Sequence, residues 1–540
     1  MGGQLMLGLE SFLEPISRMT VSIPGLQQLT ENSNVFLTAF LTLALLVLGM
    51  FLFEAIQRKN LPPGPFAWPI VGNLFSLGRY PYKTLREFAL KNGELLYLRM
   101  GSIPCIVVNS AAMAKEVVTK HDLQFAHRPT KLFSYILLNH KDIIANSYGP
   151  SWRHLRMICT SQFFTKKRLS SYEVGRTQEI HTLIKFILEK SRSEDRVVNV
   201  PFQLKNTATN IISRMVFNKR LFVEGEGCNA KDAERYQEIL KMHFTSYAIF
   251  VISDYIPCLS FITRLQGTRE RMQNIADTIH KKLDEILDLE GREQRRKNLN
   301  EEEEANCEKD FVDLLLETPS HDGVGTLDHV TIRAVVLDML FAGAETQSST
   351  IEWVMAYLLR HRDVMQRAQA EVDNVVGSER VVQETDLEHL PYLDAVVKEV
   401  MRVQPSAPIG VNHESREECR VAGYNLPART RLIFNIHAIH RDPSVYDRPK
   451  EFDPSRFLNA SSEGLQYQLM PFGAGRRICP GMPLANINMT HILAHLLHSF
   501  DWDLPDGEEL DLVERFDGIT APKLRPLMTI AKPRKPALLY

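Results

Sequence analysis

The stretch PFGAGRRICPG, Pro471 to Gly481, sets one cysteine among three glycines and two arginines, with a proline directly after it. Glycine serves where the backbone must take positive φ or let another body come close. Gly473, Gly475 and Gly481 surround a single sulfur, that of Cys479. The continuation GMPLANINMTHILAHLLHSF carries Leu484, Ile487, Ile492, Leu493, Leu496 and Leu497 at helical spacing. Cys479 is therefore expected just before a helix N-terminus, the end that stabilises a thiolate. Disulfides and zinc sites need further ligands at suitable spacing. The seven cysteines (Cys105, Cys159, Cys228, Cys258, Cys307, Cys419, Cys479) include no Cys-x-x-Cys, and their odd number argues against a full disulfide framework. A reducing compartment fits that usage.

With 540 residues, 44% of them hydrophobic, and a formal net charge of -2, the chain gives no global electrostatic case for nucleic acid. One segment departs from the average. VFLTAFLTLALLVLGMFLF, residues 35–53, runs nineteen residues without a charge, enough to cross a bilayer core as a helix. A cleaved signal peptide is the competing reading, but the run is long for one and follows 34 residues that include Glu10, Glu14, Arg18 and Glu31. Arg58 and Lys59 flank its C-terminal side, so the positive-inside rule puts the remainder in the cytosol. The organisation expected is a leader over 1–34, a transmembrane anchor over 35–53, a proline-rich hinge over 54–78 and a catalytic domain over 79–540. Pro62, Pro63 and Pro65 cannot continue a helix, which stiffens the hinge.

In the catalytic part, LLYLRMGSIPCIVVNS reads as strands and the later chain as helices, giving a mainly α class with small β-sheets. LEGREQRRKNLNEEEEANCEKD, Leu289 to Asp310, has little to bury and reads as a solvated linker. A long helix is expected from Leu327 to Arg360 with Thr326 as N-cap. Its middle, FAGAETQSST, places Gly343, Glu345 and Thr346 in an otherwise apolar span, where a glycine costs about 1 kcal/mol relative to alanine. KEVMR sets Glu399 and Arg402 three apart on one helical face, and Arg456 of FDPSRF could join them. WRHLR sets Trp152 and Arg156 one turn apart.

A thiolate on a Gly-rich loop, with Arg477 two residues earlier to meet carboxylates, suits a haem iron whose propionates need neutralising. The pattern Phe472-x-x-Gly475-x-Arg477-x-Cys479-x-Gly481 resembles the haem-binding signature of cytochromes P450, with every fixed position filled. Ala342, Gly343, Ala344, Glu345 and Thr346 resemble the family's acid-alcohol segment, Glu399 and Arg402 its Glu-x-x-Arg core, and Trp152 and Arg156 its Trp-x-x-x-Arg motif. These motifs stand in the family's order, and the resemblance spans Leu61 to the C-terminus. Departures are Gln404, Ser455 and His413, the last at a position where many relatives carry arginine.

The resemblance implies a microsomal, plant A-type P450 fold with an N-terminal transmembrane helix in the endoplasmic reticulum membrane. It implies haem b bound through Cys479 and contacted by Trp152, Arg156, Ala342, Gly343, His413, Phe472, Gly475, Arg477 and Gly481. Glu345 and Thr346 would relay protons through water, while Glu399, Arg402 and Arg456 would stabilise the haem-side fold. Phe133, Ile136, Tyr247, Phe341, Ile409 and Ile519 would line a hydrophobic substrate pocket. The activity implied is monooxygenation of a hydrophobic small molecule of phenolic, terpenoid, alkaloid-like or fatty-acid type. No Gly-x-Gly-x-x-Gly follows a strand, so electrons are expected from NADPH-cytochrome P450 reductase, with cytochrome b5 as a further partner. The alternatives are a haem-thiolate isomerase or dehydratase and a non-catalytic haem-binding protein.

Overall fold

The computed structural model describes residues 60–222, 251–298, 309–458 and 464–535, with a few isolated positions between 41 and 49 and at 239 and 242. The leader over 1–34 and most of the proposed anchor lie outside the described residues. Within the latter, Leu41, Thr42, Ala44, Leu45 and Gly49 are helical. Among the described residues no helix is long and apolar enough to cross a membrane. The chain divides into two compact units at Leu61/Pro62.

The second unit is mainly helical. In chain order its principal elements are α1 (Pro81–Asn92), β1 (Leu95–Met100), β2 (Ile103–Val108), α2 (Ala111–Lys120), α3 (Pro150–Ile158), α4 (Glu173–Arg192), β3 (Val197–Asn199), α5 (Val200–Phe217) and α6 (Thr268–Leu287). There follow α7 (Leu289–Lys297), α8 (Phe311–Glu317), α9 (His329–Arg360), α10 (Arg362–Val376), α11 (Pro391–Val403), β4 (His413–Glu414), β5 (Cys419–Val421), β6 (Tyr424–Leu426), β7 (Arg431–Phe434), α12 (Met482–Ser499), β8 (Phe500–Asp503) and β9 (Met528–Pro533). The strands form a four-stranded sheet β1-β2-β7-β4, a three-stranded sheet β3-β9-β8 and the hairpin β5-β6.

The two strands expected from LLYLRMGSIPCIVVNS pair antiparallel from Leu95↔Val108 to Met100↔Ile103. Their turn uses Gly101 at φ 68°, where an added Cβ would lie 2.4 Å from the carbonyl oxygen of Tyr255. From Pro62 onward the proline-rich segment docks on the edge of β1. Tyr97 N donates to Pro63 O (2.9 Å), and fully buried Asn73 bridges Phe66 O and Arg99 N.

The long helix α9 begins two residues later than its composition suggested. Asp328, not Thr326, caps it, accepting from Thr331 N at 2.8 Å. Thr326 is instead bridged to Pro319 across a turn. The charge-dense segment is likewise not a solvated linker over its first half. Residues 289–297 form α7, with Leu289 buried and Arg292 donating to Asp310 (2.8 Å), Asp313 (2.7 Å) and Leu287 O (2.9 Å). One guanidinium shared by two carboxylates anchors a segment that has almost no apolar surface to bury. Residues 299–308 lie outside the described residues.

Helices α9, α5 and α12 run through one continuous apolar core. Helix α5 packs tightly on α9 at Gly343, where an added Cβ would lie 2.8 Å from Ile212 Cγ1.

Candidate active site

The segment before α12 folds back on itself. Cys479 N donates to Phe472 O (2.9 Å), and Gly481 caps α12. The helix therefore starts three residues after Cys479, as its spacing required. The backbone N–H groups of Gly481 and Met482 are aimed at the sulfur. Burial pushes the Cys479 thiol up, and these amides together with Arg156 pull it down. Gly475 takes φ 70° with Asp122 so close that a Cβ would lie 2.4 Å from its Oδ1. Asp122 accepts from Arg476 N at 3.0 Å, which fixes the turn. Gly473, at φ 74°, has nothing within 4 Å of an added Cβ and opens on a cavity of about 310 Å³.

That cavity gathers most of the residues singled out in the sequence. Trp152, Arg156, Ala342, Gly343, Glu345, Thr346, His413, Phe472, Arg477, Cys479 and Gly481 all line it, as do Phe341, Ile409 and Ile519. Gly475, Phe133 and Ile136 do not line it. Phe133 is part of the apolar core and Ile136 packs against that core, both in the helix Leu132–Leu138. Tyr247 lies outside the described residues.

One rim is cationic and tightly held. Arg477 donates to Ala126 O (2.7 Å), Ile143 O (3.3 Å) and Asn146 O (2.6 Å), and its guanidinium stacks 4.1 Å over the Trp152 ring. Burial, with Arg128 nearby, pushes Arg477 down to about 9. Trp152 Nε1 donates to the same Ile143 O (3.0 Å), while Ile143 N and Ile144 N donate to Asp338 on α9 (2.8 and 3.2 Å). Residues 143–146 thus form a strap tying the cysteine loop to α9.

Arg128, which the sequence reading missed, also lines the cavity. It donates to Ile144 O, Val411 O and Asn412 O, and burial pushes it down to about 10. A lone arginine before a proline in FAHRPT carries no local sign of burial. His413 Nδ1 donates to Phe125 O (2.9 Å), because a carbonyl can only accept. Burial, then Arg128, holds His413 well below the usual histidine range, so Nε2 is an acceptor until an anion approaches.

On α9, Thr346 donates to Ala342 O (2.7 Å), the helix carbonyl one turn back. Glu345 Oε2 sits 2.6 Å from Lys205 Nζ on α5. Gly343 lines the cavity but owes its missing side chain to the approach of Ile212.

Glu399 and Arg402 are both fully buried and bonded at 2.7 and 2.8 Å, so they are no surface pair. Arg402 also donates to His440 O, Pro449 O and Glu451 O, and Arg456 Nε stands 3.6 Å from Glu399. Gln404, one of the departures, is bonded to Glu514, and Ser455 N donates to Asp453.

The donor set fits a haem: one sulfur on the same cavity as the open face of Gly473, four buried or half-buried basic groups for its carboxylates, and an apolar remainder. Fold and site together define a haem-thiolate protein. The family model "Cytochrome P450" matches residues 62–530. The chain is 37% identical to Cytochrome P450 71AP13 of Prunus mume, over 95% of this chain and 98% of that one. It is 35% identical to the flavonoid 3'-monooxygenase CYP75B137 of Crocosmia x crocosmiiflora, over 92% and 98%. A zebra fish cytochrome P450 solved with progesterone superposes with a TM-score of 0.69 at 26% identity, over 84% of this chain and 99% of that one. The chain belongs to the cytochrome P450 family and is a haem-dependent monooxygenase of the plant, class II type.

Proposed function

We propose that this protein hydroxylates a hydrophobic, phenol-bearing small molecule of plant specialised metabolism, using O2 and electrons from NADPH-cytochrome P450 reductase. The observation that carries the reading is one cavity joining Cys479 to the Glu345/Thr346 turn of α9 through apolar walls that include Phe341, Ile409 and Ile519. Relatives named flavonoid 3'-monooxygenase and flavonoid 3',5'-hydroxylase, at 34–35% identity, support the phenolic class.

Haem, when bound, supplies the dioxygen-activating chemistry. Cys479 would hold its iron, and Arg128, Trp152, Arg156, His413 and Arg477 would hold its carboxylates. Glu345 holds a proton-exchanging carboxyl at the cavity, and the Thr346 hydroxyl, anchored on Ala342 O, keeps its lone pairs available to a passing proton. Phe341, Ile409 and Ile519 exclude water and orient the substrate.

Membrane attachment through 35–53 belongs to the same reading. It is supported by Phe66, Trp68, Ile70 and Phe75, each more than half exposed soon after that run. Arg153 and Arg476 both flank the Tyr148 ring, at 5.9 and 6.0 Å, and with Lys166 and Lys167 offer cations to a reductase. Product profiling with reductase, NADPH and a panel of flavonoids, terpenoids, alkaloids and fatty acids tests the activity. Hydroxylated flavonoid is the expected product, and turnover of another class alone would overturn the phenolic assignment. Cys479→Ser should abolish the thiolate-specific absorption of the reduced carbon-monoxide complex, and retention of that band would overturn the ligand.

A further inference from the structure

Helices α5 and α9 meet in antiparallel fashion, and their seam can be read from three contacts. Ile212 meets Gly343, Lys205 meets Glu345, and at the far end Leu527 joins the two helices, its N donating to Glu352 Oε1 (2.9 Å) and its carbonyl accepting from Val200 N (3.1 Å). The polar side chains along the seam follow helical spacing. On α5, Thr209 lies four residues after Lys205 and three before Ile212. On α9, Ser349 lies four after Glu345 and three before Glu352.

Thr209 is 0% and Ser349 4% exposed, and neither hydroxyl has a hydrogen-bond partner within the protein. In the arrangement proposed below, internal water would meet both hydroxyls. Glu352, 3% exposed, closes this run. Beyond it stand Lys523, packed over the Trp353 ring and bonded to Asp511 O, and then Asp511 with the exposed Arg525 at 3.8 Å. A line of exchangeable groups therefore leads from the surface at Asp511 to the acid that lines the active-site cavity.

We propose that the α5–α9 seam is an internal proton-supply track in which Glu352 is a positioning residue that holds a proton and passes it, through water bound by Ser349 and Thr209, to Glu345. The proposal rests on the reading of Glu345 as the acid of the cavity. One proton leaves the Glu352 carboxyl for the first of a chain of waters, each water hands on one of its own protons, and the last gives one to the Glu345 carboxyl group. Glu352 is then recharged from solvent by way of Asp511. No bond other than O–H changes, and no electron moves.

The groups facing Glu352 suit that task. Burial pushes its carboxyl up to about 7, the Leu527 amide and Lys523 pull it down, Glu345 on the same helix pushes it up and Arg515 pulls it down. Its proton is thus exchangeable near neutrality, and Lys205 Nζ stands 2.6 Å from the Glu345 carboxyl that would receive it.

The full-length holoenzyme with reductase, NADPH and O2 alone serves as the assay. Oxidised NADPH divides between peroxide, which needs two protons per O2, and water, which needs four. In the parent protein the peroxide share should rise as pH passes about 7. Glu352→Gln keeps the carbonyl that accepts from Leu527 N, and should raise the peroxide-to-water ratio about tenfold and flatten its pH profile. That is less than the roughly hundredfold cost of removing a positioned proton donor outright. Ser349→Ala combined with Thr209→Val should raise the ratio while leaving the Glu352 titration in place. Independently of turnover, the infrared band of a protonated carboxyl that titrates near neutrality in the parent should vanish in Glu352→Gln.

If Glu345→Gln shifts the partition and neither seam variant does, or if no such band exists, the track is overturned while the cavity acid stands. If Glu345→Gln is silent as well, both readings fall.

Discussion

Arg402 shows how little a single residue's type says until its partners are known. Beside Glu399 in the sequence it could have been one of many exposed helical pairs, worth a few tenths of a kcal/mol. It is in fact fully buried and spends its donors on Glu399 and three carbonyls, a fork that only a planar guanidinium can complete. Arg402→Lys should therefore behave as a broken buried pair, costing about 3 kcal/mol and haem retention, measured by denaturant unfolding and the haem-to-protein ratio.

Thr346→Ala removes a hydroxyl anchored on Ala342 O and should keep haem content while increasing peroxide per NADPH. Unchanged coupling in the alanine variant would make the hydroxyl structural. Cys479 was legible because glycines, a cysteine and a helix start occupy eleven consecutive residues. Arg128 was not, because its burial comes from loops distant in sequence: Ile144, Val411 and Asn412.

At the scale of elements, periodicity located helices well and assigned their faces poorly. It found α9 to within two residues of its start, and the β1–β2 pair in full. It could not tell that the helix Leu132–Leu138 faces the core, since apolar residues bound for a pocket and for a core look alike. Nor could charge density reveal that Arg292 would draw α7 onto the body.

The α5–α9 contact makes a test at this scale. Gly343→Ala gains helix propensity of about 1 kcal/mol but forces Ile212 aside in a packed seam, where overpacking costs about 1–3 kcal/mol. The alanine variant should be less stable in thermal unfolding, and adding Ile212→Val should recover part of the loss. Additive effects of the two substitutions would show that the helices do not press on each other there.

The whole molecule carries an acid sensitivity of its own. Burial, with Arg176 and His181 nearby, depresses His491 to about 4, and burial with Arg441 nearby depresses His440 to about 3. An unfolded histidine binds its proton near 6.5, so between those values the unfolded chain takes up more protons than the folded one. Stability is complete above about 6.5 and is lost as pH falls toward 4. His491 alone contributes on the order of 3 kcal/mol to that fall. His491→Asn should shallow the slope of unfolding free energy between pH 6.5 and 4, measured in urea. An unaltered slope would mean that other groups govern it.

The sulfur of Cys479 meets the amides of Gly481 and Met482. These groups belong to the main chain, which every residue type supplies alike. Side chains around the cavity other than Arg156, which also draws the thiol down, can therefore diversify over generations, admitting new molecules to be oxidised, without disturbing the electronic setting of the thiolate. A scaffold whose reactive centre is insulated in this way from ordinary sequence drift can give rise to a large lineage of enzymes that share one chemistry and differ in what they recognise.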